Sequence, residues 1–304
     1  MKKHLFLLSF LALTSCAGNE VSTSIIEESS PEVIEKQKAQ VVMLIGQSNA
    51  SGVSKNEYLV KHFSQSKLIE YQMGYEKVHI AFQNEGVYGN VSPNSGFVPV
   101  RVGQGYNSAH FGPELGIAEY LYENDYAKDV FIIKVAYGGT GVARDWASPS
   151  YSNGNNGYCY DSFVYFANSR LDELRKTYDV EIKAFCWMQG EEDSLHEEDT
   201  AAYGNNESMF IADLREQFSA YKGEKEIGFI DAPISKAWTN NPQINNAKYT
   251  LSTSDENHIY LAEAENLSYR REPTESPDLA HFDSDAMITL GNLFGKALVE
   301  YFLD

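Results

Sequence analysis

The 304-residue chain is short of the residues that several function classes require. It has three cysteines, nine prolines, and 24 Lys and Arg against 43 Asp and Glu. Three cysteines are too few for a disulfide-built scaffold. There is no CxxC pair and no HExxH sequence, so no motif supports a zinc site, and no metal or cofactor is expected. The formal charge is −19 and the isoelectric point about 4.7. A surface of that sign has no basic stripe to neutralise phosphates, which argues against nucleic acid and anionic membrane surfaces as partners. The only leading apolar run, Leu5 to Leu13, is too short to span a bilayer. The G-x-S-x-G nucleophile elbow is also missing.

The first forty residues read as targeting and tether. Lys2 and Lys3 precede the apolar run, and Leu13-Thr14-Ser15-Cys16 follows it, which marks residues 1–15 as a signal segment. Those four residues resemble the lipobox of bacterial lipoproteins. The resemblance implies cleavage before Cys16, lipid attachment there, and an exported protein held at a membrane in the periplasm or at the cell surface. A plain secretory signal with an incidental Cys16 is the alternative. Cleavage would remove two lysines and no acids, so the charge becomes 22 − 43 = −21. Residues 16–40 are rich in Ser, Glu, Lys and Thr and read as a flexible tether. Residues 41–304 show no internal repeat and no second linker, and at 43% hydrophobic content overall the chain can bury a large core as one domain. Cys159 falls in a polar loop and Cys186 in an apolar run, so the two are expected not to pair.

Within that domain, apolar runs alternate with helix-period segments. Strands are expected at Val41–Ile45, Lys77–Gln83, Val130–Ala136, Ile182–Met188, Ile227–Ile234 and His258–Ala264. Helices are expected at Gly112–Glu123, Asp161–Tyr178, Glu198–Tyr221 and Asp283–Phe302. Strands that alternate with helices imply an α/β fold, a mostly parallel sheet with helices on both faces. Three of the strands run into chemically distinctive turns: Gly46-Gln47-Ser48-Asn49, Gly138-Gly139-Thr140-Gly141 and Gln189-Gly190-Glu191-Glu192-Asp193. Parallel strands bring such turns to one edge, where open α/β sheets keep their ligands. Ser48 alone reads more readily as the N-cap of the next helix than as a nucleophile. Near the C-terminus Asp278 precedes His281 by three residues, a spacing at which a carboxylate can hold one imidazole nitrogen while the other faces that edge.

Together these four blocks resemble the SGNH hydrolase superfamily, in its branch of sialate O-acetylesterases and related acetylxylan esterases (carbohydrate esterase family 6). The resemblance covers roughly residues 40–304. It implies a flavodoxin-like three-layer α/β/α sandwich that removes O-acetyl groups from carbohydrate without a cofactor. It also implies Ser48 as nucleophile, His281 as base, Asp278 as its orienter, and an oxyanion hole of the Ser48 and Gly139 N–H groups with the Gln189 side chain. Glu191 is a second carboxylate near the histidine, and the sequence leaves open which carboxylate chiefly orients it. Gln47 and Asn49 are candidates for substrate contact, and Arg144 and Trp146 read equally as substrate contacts or as residues that anchor their loop by packing. The loops Asn84–Ala109 and Ser148–Tyr160, rich in Tyr, Asn, Gly and Ser, fit a sugar-contacting rim by composition. His258 reads as a structural hydrogen-bonder, and Glu197-Glu198-Asp199 as a solvated helix N-terminus. Two other functions stay open: a glycan-binding lipoprotein without activity, and a glycoside hydrolase using Glu191 with Glu192 or Asp193. The sugar, the oligomeric state and the membrane face are not legible.

Overall fold

The computed structural model describes residues 36–85, 96–267, 272–273 and 277–304. The expected signal segment, Cys16 and the expected tether up to residue 35 lie outside the described residues, as do residues 86–95 of the expected rim. In chain order the elements are β1 (Lys38–Gly46), α1 (Ser48–Ser51), β2 (Ser54–Lys55), α2 (Gln65–Met73), β3 (Tyr75–Glu85), β4 (Val98–Val100) and β5 (His110–Phe111). Then come α3 (Pro113–Glu123), β6 (Val130–Tyr137), α4 (Pro149–Ser152), α5 (Tyr158–Arg175), β7 (Asp179–Met188), α6 (Glu197–Gln217), β8 (Gly228–Asp231), α7 (Asn241–Ser254), β9 (His258–Tyr260) and α8 (Ser284–Ala297).

Seven strands form one sheet in the order β4-β3-β6-β1-β7-β8-β9, and β2 pairs with β5 alone. Every pairing in the large sheet is parallel except β3 with β4. β1 is buried from Ala39 to Gly46, and its Val41–Ile45 run is apolar throughout, as suits a strand between two parallel neighbours. Register shows the layers. Leu44 lies beside Lys134, and Lys134 pairs with Glu114 of α3. Met43 and Ile45 lie beside Phe185 and Trp187, whose rings meet Phe163 of α5 and Phe210 of α6. So α3 covers one face and α5 with α6 the other, which makes the α/β/α sandwich expected from the sequence.

Several boundaries move for physical reasons. β8 is four residues long rather than eight, because Pro233 cannot donate to a ladder and the chain leaves the sheet before it. α7 was not expected at all. Its sequence, NPQINNAKYTLSTS, is poor in helix formers, and burial of Ile244 and Lys248 compensates for weak propensity. Cys159 and Cys186 are separate buried thiols, and burial pushes the Cys186 thiol up.

The order of connections fixes where a ligand can sit. From β1 the chain moves to β3, returns to β6 beside β1, and then crosses to β7 on the other side of β1. The carboxyl end of β1 is therefore a switch point, where a crevice opens between diverging connections. Ser48 follows it directly.

The face covered by α3 closes through glycine. α3 and α8 touch at Gly116 and Gly291, where a Cβ on Gly291 would lie 2.2 Å from the Pro113 carbonyl oxygen and 2.6 Å from Gly116 Cα. Backbone has no room to yield there. Gly291→Ala should destabilise the protein by about 2 kcal/mol or more through overpacking, seen as a lower midpoint in thermal unfolding. An unchanged midpoint would mean the helices separate freely.

Candidate active site

The turn after β1 is set by close approach. Gly46 has φ +143°, and a Cβ there would sit 2.0 Å from the Met188 carbonyl oxygen, so only glycine fits. The next residue, Gln47, donates its N–H to that same oxygen at 2.9 Å. Ser48 then opens α1, where helix geometry leaves its N–H without an intrahelical acceptor.

The C-terminal histidine meets this serine across 233 residues of sequence. His281 Nε2 lies 2.8 Å from Ser48 Oγ, and His281 Nδ1 lies 2.7 Å from Asp278 Oδ2. A carboxylate only accepts, so Nδ1 carries the proton, and Nε2 is left to accept from the serine hydroxyl. Asp278 is itself held by the Ala280 N–H on Oδ1 at 2.9 Å. The imidazole and the carboxylate are partly exposed, at 23% and 33% of their side chains. The groups are thus open to an approaching substrate. Gly139, with φ +69°, is exposed in the turn after β6.

A family model described as carbohydrate esterase, sialic acid-specific acetylesterase matches residues 38–300. The chain belongs to that family. Membership in this carbohydrate esterase family supports an esterase. A probable carbohydrate esterase of Arabidopsis thaliana is 27% identical over 171 residues, which is 56% of each chain. The match thus spans little more than half of that relative. Its X-ray structure superposes with a TM-score of 0.59 at 19% identity, covering 87% of this chain and 99% of that one. The crystal structure of NanS gives 0.61 at 15% identity, covering 88% and 99%. A carbohydrate acetylesterase from Xanthomonas citri gives 0.51 at 11% identity, covering 86% and 56%. At these identities the likeness is one of fold.

Other residues singled out in the sequence of this esterase-family chain sit differently from expectation. Gln189 is wholly buried, and its amide nitrogen donates to the Thr140 carbonyl at 2.9 Å and to Asp193 Oδ2 at 2.5 Å. Both acceptors are incapable of donating, so both amide hydrogens are committed and none is left for an oxyanion. Gln47 takes the reverse orientation. Its side-chain oxygen accepts from Glu192 N at 3.2 Å and lies 3.3 Å from Gln189 Nε2, whose two hydrogens are already engaged. A backbone N–H can only donate, which fixes the oxygen there and the Gln47 amide nitrogen on the opposite side.

Asn49 is wholly buried rather than at the substrate, and for Trp146, also wholly buried, the structure selects the packing alternative. Asn49 donates to Glu191 Oε1 at 2.8 Å and accepts from Phe282 N at 3.4 Å, so it ties the serine turn to the histidine turn. Trp146 packs against Trp187 and donates its indole N–H to Thr140 Oγ1 at 3.0 Å. Glu191 bonds Asn49 rather than the imidazole, and burial holds its carboxyl above the usual range. Arg144 alone of the four substrate candidates is well exposed, at 54% of its side chain, with its guanidinium 3.2 Å from Glu192. The Ser148–Tyr160 stretch is tied to α6, where Asp213 accepts from the Ser148 and Ser150 hydroxyls. The acids of Glu197-Glu198-Asp199 fill the first turn of α6.

Behind Gln189 lies a polar cluster that no motif announced. The Tyr203 hydroxyl donates to Glu207 Oε1 at 2.9 Å and sits 3.1 Å from Gln189 Oε1, while Trp187 Nε1 donates to the same carboxylate at 3.0 Å. Lys248 lies 3.6 Å from Glu207 and bonds Asp231, which also meets His258 Nε2 at 3.3 Å. Burial pushes the Glu207 carboxyl up to about 7. The unfolded chain loses that proton near pH 4.5 and the native one keeps it to about 7, so stability falls as pH rises through this window. Glu207→Gln should flatten the fall, with the variant gaining on the wild type by on the order of 3 kcal/mol between those limits in denaturant titrations. Parallel pH profiles would contradict it.

Proposed function

We propose that the protein is a serine esterase that removes O-acetyl groups from carbohydrate through an acyl-enzyme. The observation that carries the reading is the continuous chain Asp278–His281–Ser48, with contacts of 2.7 and 2.8 Å at the switch point of the sheet. A serine hydroxyl is a weak nucleophile until a base takes its proton, and His281 is placed and oriented to do so. Ser48 Oγ attacks the acetyl carbonyl as its proton passes to Nε2. The Asp278 carboxylate stabilises the imidazolium. The proton then goes to the departing sugar oxygen, and water repeats the sequence to release acetate.

The negative oxygen formed on attack needs donors already in place. In this reading they are the N–H groups of Ser48 and Gly139 and the Gln47 side-chain amide, which takes the part that the family resemblance implied for Gln189. The Glu192 N–H holds the Gln47 oxygen, which leaves the Gln47 nitrogen on the other side for this part. Glycoside hydrolysis is disfavoured, because Glu191 and Asp193 are both wholly enclosed and neither can flank a glycosidic bond. Export with lipid on Cys16 belongs to the same proposal and would place the enzyme where extracellular glycans arrive.

Ser48→Ala and His281→Ala should each lower kcat on an acetyl ester by about 10⁴-fold or more, and the double variant should lose little beyond either, since the pair works as a unit. Full activity in Ser48→Ala would remove the nucleophile. Gln47→Ala should cost about 10²- to 10³-fold in kcat with KM little changed. An unchanged kcat would return the third donor to another group.

A further inference from the structure

The loop that follows β8 emerges at the same sheet edge as Ser48, and it is braced on every side. Ile234 exchanges hydrogen bonds with the Asn245 side chain at 2.8 and 3.0 Å. Asn240 donates to the Ser194 carbonyl at 2.9 Å, which ties the loop to the turn that carries Glu191. Asn241 donates to the Trp238 carbonyl at 2.7 Å, and the Trp238 N–H returns to Ser235 at 3.2 Å. The indole N–H of Trp238 donates to the Ala280 carbonyl at 3.3 Å, one residue from His281. The loop therefore bridges two turns of the site, with a tryptophan at its centre.

That tryptophan is neither core nor free surface. Its ring packs on the hydrophobic core yet stays partly exposed, whereas Trp146 and Trp187 are wholly buried. Leu279, one residue before the carbonyl that accepts from the Trp238 indole, is 51% exposed on the turn between Asp278 and His281. A large ring held in one orientation and left partly uncovered loses little entropy when something is laid on it. With an acetyl group at Ser48, the sugar that bears it projects outward past the exposed turn that carries His281. A pyranose presents a face of C–H bonds bordered by hydroxyls, which suits an aromatic face.

We propose that Trp238 is the platform on which the sugar ring of the substrate stacks, with Leu279 extending it. The proposal rests on the esterase reading for its ligand class and deepens it by naming the group that recognises the sugar rather than the acetyl. The test is calorimetric titration of the methyl glycoside of an O-acetylated N-acetylneuraminic acid into Ser48→Ala, Ser48→Ala/Trp238→Phe and Ser48→Ala/Trp238→Leu. Leucine keeps apolar bulk without a π face, and phenylalanine keeps the face without the indole N–H. The leucine variant should bind about tenfold more weakly than Ser48→Ala, and the phenylalanine variant within about threefold of it. Equal affinity in the leucine variant overturns the platform, as does an equal loss in both, which would assign Trp238 to supporting the Ala280 turn. No binding to Ser48→Ala overturns it as well. Acetate release by the wild type on the same glycoside separates the two claims: binding that depends on Trp238 without release would sink the esterase and leave the platform standing.

Discussion

A carboxylate with no access to solvent must be met by donors, and Asp193 is met by those that hold the site together. It is wholly buried, and it accepts from Val142 N at 3.0 Å, Ala143 N at 3.1 Å and Gln189 Nε2 at 2.5 Å. Two of these donors belong to the turn after β6 and one to the turn after β7, the strands on either side of β1. Desolvation raises the Asp193 carboxyl, and these bonds favour its charged form. Removing any of them leaves a buried charge short of a partner, which is costly, so the two turns are kept at fixed separation across the Ser48 turn.

Polar side chains that never reach the cleft extend the same construction. Gln189 is committed to Asp193 and Thr140, and the Glu192 N–H orients Gln47. Asn49 links Glu191 to the backbone of Phe282, next to His281. Preorganisation is mostly second-hand here: the residues that meet substrate in the proposed reaction are few, and each is held by a buried neighbour.

The fold was legible because its strands are long apolar runs buried on both faces, and the reactive turns because each follows such a run. Ser48, His281 and Asp278 could be named before any coordinates, since a parallel sheet gathers the carboxyl ends of its strands. Sequence does not show which way a side chain points. Asn49 and Gln189 have the right chemistry in the right turns but face inward, and Trp146 follows a reactive turn only to close the core behind it. α7 escaped because its Asn, Thr and Ser carry no helical signal, its reason to be helical being the burial of Lys248 beside Asp231. Trp238 left one faint trace, its place just beyond the expected strand Ile227–Ile234.

The most direct measurement is peptide mass mapping after a brief exposure of the enzyme to an acetyl ester and an acid quench. An acyl-enzyme on Ser48 predicts one acetyl group on the peptide that carries Ser48, and none on the same peptide from Ser48→Ala. Acetate released while that peptide stays unmodified, or released equally by Ser48→Ala, would contradict the mechanism.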